Sequence, residues 1–190
     1  MKKLSVDQWM GVALAVMAAL VLTLSILEIK DDMGDILPIG PGDPMPALAA
    51  RDLEGIVVSL PAGSTEGAVL LLDFWATWCP PCVKSMPDLA ALHRKYEGQG
   101  LRVLSMNVDQ AGSHDAQSQL VRDFLARLEI PDLPVALDNG RNQIAYKVQV
   151  LPTLFLIGRD GVIVDAWTGG TRKSTIERAI LEALEAPDQR

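Results

Sequence analysis

The chain of 190 residues contains two cysteines. They stand two residues apart in Thr77-Trp78-Cys79-Pro80-Pro81-Cys82. That spacing lets both sulfurs reach bonding distance within one helical turn. A cysteine at a helix N-terminus meets unpaired backbone N–H groups and the positive end of the helix dipole, and both favour its thiolate. The thiolate is the nucleophile of thiol chemistry, so Cys79 is the expected attacking group and Cys82, one turn in and more buried, the expected resolving thiol. Pro80 and Pro81 have fixed φ and no N–H, which suits the first helical positions. A strand that delivers Cys-x-x-Cys to the first turn of a helix is the arrangement of a dithiol/disulfide switch.

The flanking pattern supplies those elements. Ala68 to Phe74 is apolar except for Asp73, as expected of a strand covered on both faces. A helix is predicted from Cys79 to about Glu97, with Leu89, Leu92 and Tyr96 at helical spacing, a kink at Pro87, and Gly98 and Gly100 as its stop. Leu101 to Val108 reads as a second, parallel strand, which closes a right-handed βαβ unit. Asp109 to Gln117 reads as a polar loop, and Gln110 to Gln117 within it is the expected local source of specificity. A helix is predicted over Gln119–Leu128, with Leu120, Phe124 and Leu128 on its buried face. Leu133 to Leu137 reads as a short strand and Ile144 to Val148 as helical. Leu154–Ile157 and Val162–Trp167 flank Gly158-Arg159-Asp160-Gly161 as an antiparallel hairpin. Ser174-Thr175-Ile176-Glu177 has the form of a capping box opening a last helix, with Ile176, Ile180 and Leu184 on one face. Upstream, Ala47–Ala50 and Ile56–Leu60 read as two short strands around a turn at Asp52-Leu53-Glu54-Gly55.

The N-terminal part has a different character. Trp9 to Leu27 carries no charge and as a helix would extend roughly 28 Å, about one hydrocarbon thickness. Lys2 and Lys3 precede it; Glu28, Asp31, Asp32 and Asp35 follow. This predicts a short cytoplasmic N-terminus at 1–8, a single-pass signal anchor in the cytoplasmic membrane at 9–27, and an extracytoplasmic (periplasmic) C-terminal part. A cleaved signal peptide is the rival, but Leu27-Glu28-Ile29-Lys30 makes a poor cleavage site. Residues 28–46, rich in Gly and Pro from Gly34 onward, read as a linker, and 47–190 as one globular domain. With 49% hydrophobic residues the chain can bury a substantial core, and its net charge of −7 argues against nucleic acid as a partner.

Taken together, the order of elements and motifs resembles the thioredoxin superfamily, and more narrowly its membrane-anchored TlpA/ResA-like branch, over roughly residues 41–186. The residues that carry the resemblance are Phe74-Trp75-Ala76-Thr77-Trp78-Cys79-Pro80-Pro81-Cys82, Pro87, Asn107-Val108-Asp109, Leu151-Pro152-Thr153, Asp160-Gly161 and Gly169. The resemblance implies an α/β fold: a thioredoxin-like central mixed sheet flanked by helices, an N-terminal β-hairpin extension, and one transmembrane helix ahead of it. It implies a redox disulfide Cys79–Cys82, and a cis Leu151–Pro152 peptide beside the groove where, with Trp78, a partner would dock. It implies a buried Asp73 that exchanges protons with Cys82. The activity implied is thiol–disulfide exchange, most simply the reduction of disulfides in extracytoplasmic proteins. No cofactor is implied, because the electrons sit on the sulfurs, and a transmembrane electron-transfer partner would be needed to recharge the dithiol. The chain departs from the branch at Ser85, where reductants of cytochrome c maturation often carry Glu, and at Asp73, where they usually carry Asn. Ser105 stands where thioredoxin has a lysine that pairs with the buried acid.

Other chemistries use the same cysteines. A disulfide-forming oxidant would need a strongly stabilised reduced form. A thiol peroxidase would want Thr and Arg around its cysteine, and only Thr77 fits. A metallochaperone or zinc site would draw on Cys79, Cys82, His93 and His114, but His93 is expected about 16 Å along the helix axis from Cys82.

Overall fold

A computed structural model of the chain describes residues 10, 14–25 and 38–186. The chain divides into two units, residues 1–38 and residues 39–190. In the first, residues 14–25 are helical and exposed. Twelve residues rise about 18 Å, and no helix among the described residues is long and apolar enough to cross a membrane. The rest of the predicted anchor at 9–27, and the linker up to residue 37, lie outside the described residues.

The second unit is built on seven strands and four α-helices among the described residues. In chain order they are β1 (Leu48–Asp52), β2 (Val57–Leu60), β3 (Val69–Trp75), α1 (Pro80–Tyr96), β4 (Leu101–Asn107), α2 (His114–Arg127), β5 (Val135–Leu137), α3 (Arg141–Ala145), β6 (Thr153–Ile157), β7 (Ile163–Thr168) and α4 (Lys173–Glu185). The sheet order is β2-β1-β5-β4-β3-β6-β7. β3 pairs in parallel with β4 and antiparallel with β6; β4 and β5 are parallel; β1–β2, β1–β5 and β6–β7 are antiparallel. This is the mixed, thioredoxin-like sheet implied by the motifs, with β1–β2 as the N-terminal hairpin.

β3 lies inside the sheet, between β4 and β6, and every residue in it is buried. Its apolar run therefore packs on both faces, and its backbone is paired on both edges. α1 buries Met86, Leu89, Ala90, Leu92 and Tyr96 along one side and carries Pro87 within it. Gly100, at φ 99°, closes the short 3₁₀ turn that follows, a conformation glycine adopts without steric cost.

Five expectations are corrected. The compact unit begins at Ile39 rather than 47, because residues 42–45 of the expected linker are hydrogen-bonded to β7 and the turn before it. Gly42 N–H donates to Ile163 O, Ile163 N–H to Asp43 O and Met45 N–H to Gly161 O, each at 2.9 Å, and Met45 is 1% exposed. α2 starts at His114, inside the expected loop, because the Ser113 side chain accepts from Ala116 N–H and caps it. Its buried face is Gln117, Ser118, Val121 and Leu125; Leu120 points outward. The helical turn expected at Ile144–Val148 is α3, shifted upstream, with Ile144 exposed. The capping box does not form: Arg172 is the N-cap of α4 and makes no side-chain cap bond. Glu177 instead accepts from Lys95 Nζ at 2.7 Å and Tyr96 Oη at 2.8 Å, which ties α4 to α1.

Gly161 sits where the N-terminal segment joins the β6–β7 turn. Its φ is +78°, and a Cβ there would lie 2.1 Å from the Gly63 carbonyl carbon. Gly42 has φ +94° but open space around it. Gly42→Ala should therefore cost about 1–2 kcal/mol, the strain of a left-handed residue alone. Gly161→Ala should cost at least about 2 kcal/mol more, because backbone must move. Urea unfolding of the two variants checks this, and equal losses would contradict the packing described.

Candidate active site

The site is made where two loops leave the centre of the sheet at the same end. β3 runs into Ala76-Thr77-Trp78-Cys79 and then α1. β6 begins at Thr153, paired with Phe74 in register, so Pro152 precedes β6 beside the residue that follows Phe74. The Leu151–Pro152 peptide is cis, as the resemblance implied. Pro152 is buried and Leu151 half-buried. The Pro152 carbonyl accepts Gly169 N–H at 2.8 Å, and Thr153 Oγ1 donates to Val150 O at 2.7 Å, so the proline loop is anchored on both sides.

Cys79 is the N-cap of α1, and its Sγ accepts Cys82 N–H at 3.3 Å, with Pro80 and Pro81 at the first two helical positions. This is the predicted placement: the helix offers its unpaired N–H groups to the first sulfur. Cys79 and Cys82 form a disulfide with an S–S distance of 2.03 Å. Both are nearly buried, at 4% and 1%, while Trp78 beside them is 67% exposed. A large aromatic held in water next to a buried disulfide offers an incoming partner apolar surface.

Asp73 lies in β3, paired in register with Ser105 of β4 and Leu154 of β6. It is 1% exposed. Ser105 Oγ donates to its Oδ2 at 3.5 Å, and its Oδ1 has no partner. Removal from water raises the carboxyl from its ordinary 3.8 to about 7, a rise the serine bond opposes only weakly. A carboxyl that exchanges its proton near neutral pH in the strand leading to the dithiol has the property a proton shuttle needs.

The sequence reading missed a buried polar cluster beneath the loop. Asp109 accepts from Thr77 N–H and Thr77 Oγ1, and Asn107 and Gln117 continue the network. The Thr77 hydroxyl is thus committed to Asp109. The segment Gln110–Ser113 lines a cavity of about 770 Å³ together with Arg51, His114 and Arg141. The histidines lie apart from the dithiol in their bonding. His93 Nε2 pairs with Glu97 at 3.3 Å, and His114 Nε2 bonds the Asp52 carbonyl at 2.9 Å. Among the described residues no three His, Cys, Asp or Glu side chains form a group that could hold a metal.

A sheet of this topology, with a dithiol at the end of its central strand, defines a thioredoxin-like protein-disulfide oxidoreductase. A Redoxin family model matches residues 40–184, and the chain belongs to that family. It is similar to the thiol-disulfide oxidoreductase ResA of Bacillus cereus, with 34% identity over 137 residues, 72% of this chain and 74% of the relative. It is also similar to ResA of Bacillus subtilis, with 32% identity over 139 residues and 73% of each chain. Among solved structures, StoA from Bacillus subtilis superposes with a TM-score of 0.58 at 26% identity, over 73% of this chain and 98% of that one.

The buried Asp73 makes stability depend on pH. Its folded pKa is raised, so the folded state holds a proton that the unfolded state has lost between about pH 4 and pH 7. Stability is therefore full below 3.8 and falls as pH rises through about 7. In the oxidised protein, Asp73→Asn should remove this dependence. Relative to the variant, wild type should lose about 4 kcal/mol between pH 4 and pH 8, measured by denaturant unfolding. Parallel pH profiles would mean that the carboxyl titrates normally.

Proposed function

We propose that the protein reduces disulfides in extracytoplasmic proteins while tethered to the cytoplasmic membrane by residues 9–27. The observation that carries this reading is the N-cap position of Cys79, whose sulfur accepts the Cys82 N–H beside an exposed Trp78. The anchor reading rests on the uncharged stretch from Trp9 to Leu27, the lysines before it and the acids after it.

In the reduced enzyme the Cys79 thiolate attacks one sulfur of a substrate disulfide. That S–S bond breaks, a Cys79–substrate disulfide forms, and the departing thiolate takes up a proton. Cys82 then gives its proton to Asp73 and attacks Cys79 Sγ. The second substrate thiolate leaves and the Cys79–Cys82 disulfide forms. Two electrons have passed from the dithiol to the substrate, so a reductant must restore the dithiol, and for an extracytoplasmic domain that reductant is a transmembrane electron carrier. Trp78, Leu151 and Pro152 would form the surface on which the substrate backbone lies. The similarity to thiol-disulfide oxidoreductases ResA supports thiol–disulfide exchange as the chemistry.

Cys82→Ser should trap substrates as mixed disulfides through Cys79, visible as adducts on non-reducing gels that dissolve with dithiothreitol. Cys79→Ser should trap few, and equal trapping by both variants would reverse the assigned roles. In glutathione buffers the Cys79–Cys82 couple should equilibrate below about −230 mV, in the range of thioredoxin-like reductants. A potential near about −120 mV would identify an oxidant instead.

A further inference from the structure

Thr77 stands two residues before Cys79, and its two polar groups are both held by one buried carboxylate. Asp109 is 4% exposed. Its Oδ2 accepts Thr77 N–H at 2.9 Å and Asn107 Nδ2 at 2.7 Å, and its Oδ1 accepts the Thr77 hydroxyl at 3.1 Å. Asn107, with no exposed surface, is fixed in turn: its Oδ1 accepts Asp109 N–H at 3.2 Å and Gln117 Nε2 at 3.0 Å. A continuous line of side-chain bonds thus runs from the first turn of α2, through the end of β4, to the loop between β3 and α1.

The backbone of that loop is held on either side of Thr77. Val108 N–H donates to Trp75 O at 2.9 Å, and Cys79 N–H donates to Ala76 O at 3.2 Å. Thr77 is the residue between these ties, and directly after it the chain turns Trp78 into water and Cys79 into the N-cap. Burying a carboxylate is costly unless donors replace its water. Here three donors do so, and two of them belong to the loop that carries the nucleophile.

We propose that Asp109 is a positioning residue for disulfide exchange. By holding Thr77 at both its N–H and its hydroxyl, it fixes the turn that sets Cys79 Sγ against the Cys82 N–H at the start of α1. This rests on the reading of Cys79 as the attacking thiol. Asp109 acts through Thr77, and its effect on the sulfur is geometric. Without the anchor the loop slackens, the sulfur leaves the helix N–H groups more often, and its thiolate loses the stabilisation they give.

Anchor and charge can be separated. In Asp109→Asn the amide oxygen can replace Oδ2, accepting from Thr77 N–H and Asn107, while the amide N–H₂ donates to a Thr77 hydroxyl turned to accept. In Asp109→Ala the anchor is gone. The experiment takes the reduced full-length chain in detergent and follows the iodoacetamide alkylation rate of Cys79 against pH, with the modified peptide resolved by mass spectrometry. Wild type should show a Cys79 midpoint below about 8.5, the ordinary thiol value. Asp109→Ala should raise that midpoint by about one pH unit, slowing alkylation near neutral pH about tenfold. Asp109→Asn should restore the rate to within about twofold of wild type, a factor worth only a few tenths of a kcal/mol.

An Asp109→Ala midpoint equal to wild type, with only a lower unfolding midpoint, would overturn the proposal and leave a purely structural role. An Asp109→Asn midpoint raised as far as that of Asp109→Ala would overturn it, because the restored acceptor would then not hold the loop. A midpoint lowered in both variants would overturn it in favour of charge, since removing a buried anion stabilises a nearby thiolate. Where Asp109→Ala does not fold, Thr77→Val decides. It keeps the bulk and the N–H bond, so it should move the Cys79 midpoint upward by less, and Thr77→Ser should move it back. A wild-type midpoint in Thr77→Val would overturn the proposal. A wild-type chain whose Cys79 titrates at or above the ordinary value would sink the attacking-thiol reading itself, an outcome that no variant is needed to see.

Discussion

Burial of β3 on both faces and both edges is the constraint from which the rest of the structure follows. All seven residues from Val69 to Trp75 are buried. β4 on one side and β6 on the other satisfy the strand's backbone along almost its whole length. A strand so enclosed cannot slip by one residue without exchanging its two faces. The position at which the chain emerges is therefore set, and with it the place where Cys79 begins α1. The same pairing sets Pro152, because Thr153 is registered against Phe74. The dithiol and the proline loop meet at one end of the sheet through strand register, before any contact between them is considered.

That burial also makes a carboxyl in β3 chemically unusual, and the site holds two buried acids with opposite surroundings. Asp73 has one long bond from Ser105 and an oxygen with no partner. Its charged form is poorly supported, and desolvation lifts its pKa to about 7. Asp109 is nearly as buried but accepts three hydrogen bonds. One acid is left free to take and release a proton while the other is committed to holding a loop. The difference comes from the neighbours: Ser105 supplies a single weak donor at a position facing Asp73, whereas Thr77 and Asn107 converge on Asp109 from two segments.

How much of this was legible in the sequence follows from how local each signal was. The Cys-x-x-Cys, the apolar run of β3, the βαβ unit and the hairpin around Gly158–Gly161 were readable, because motif spacing and periodicity lie within a few residues. Asp73 stood out as one acid in an apolar run. The face of α2 was misjudged because it buries Gln117 and Ser118, which polarity alone places outside. The capping box failed because Glu177 found Lys95 and Tyr96 on another helix. The segment from Ile39 to Pro46 read as linker by composition; backbone bonds to Gly161 and Ile163 make it part of the domain, and backbone bonds leave no compositional trace. In the sequence Asp109 stands only at the end of a matching motif and the start of a polar loop. Its role depends on contacts spanning 32 residues of sequence, which no local pattern reports.

The two ends of the central strand then divide the labour of the domain. The segment from Ile39 to Pro46 is tied to the β6–β7 turn, at the end of β3 where Leu70 pairs with Ile157. Cys79 follows the other end, where Phe74 pairs with Thr153. The length of β3 separates them, about 20 Å at the rise of a strand. Residues 42–45 are thus held at the end of β3 away from the sulfurs, and Trp78 projects into solvent at the other. For a reaction whose substrate is a disulfide within another folded protein, this separation matters more than any pocket. In the reaction proposed above a large surface must reach Cys79, and the loop that carries it is pinned from beneath by Asp109 while Trp78 beside it stands in solvent.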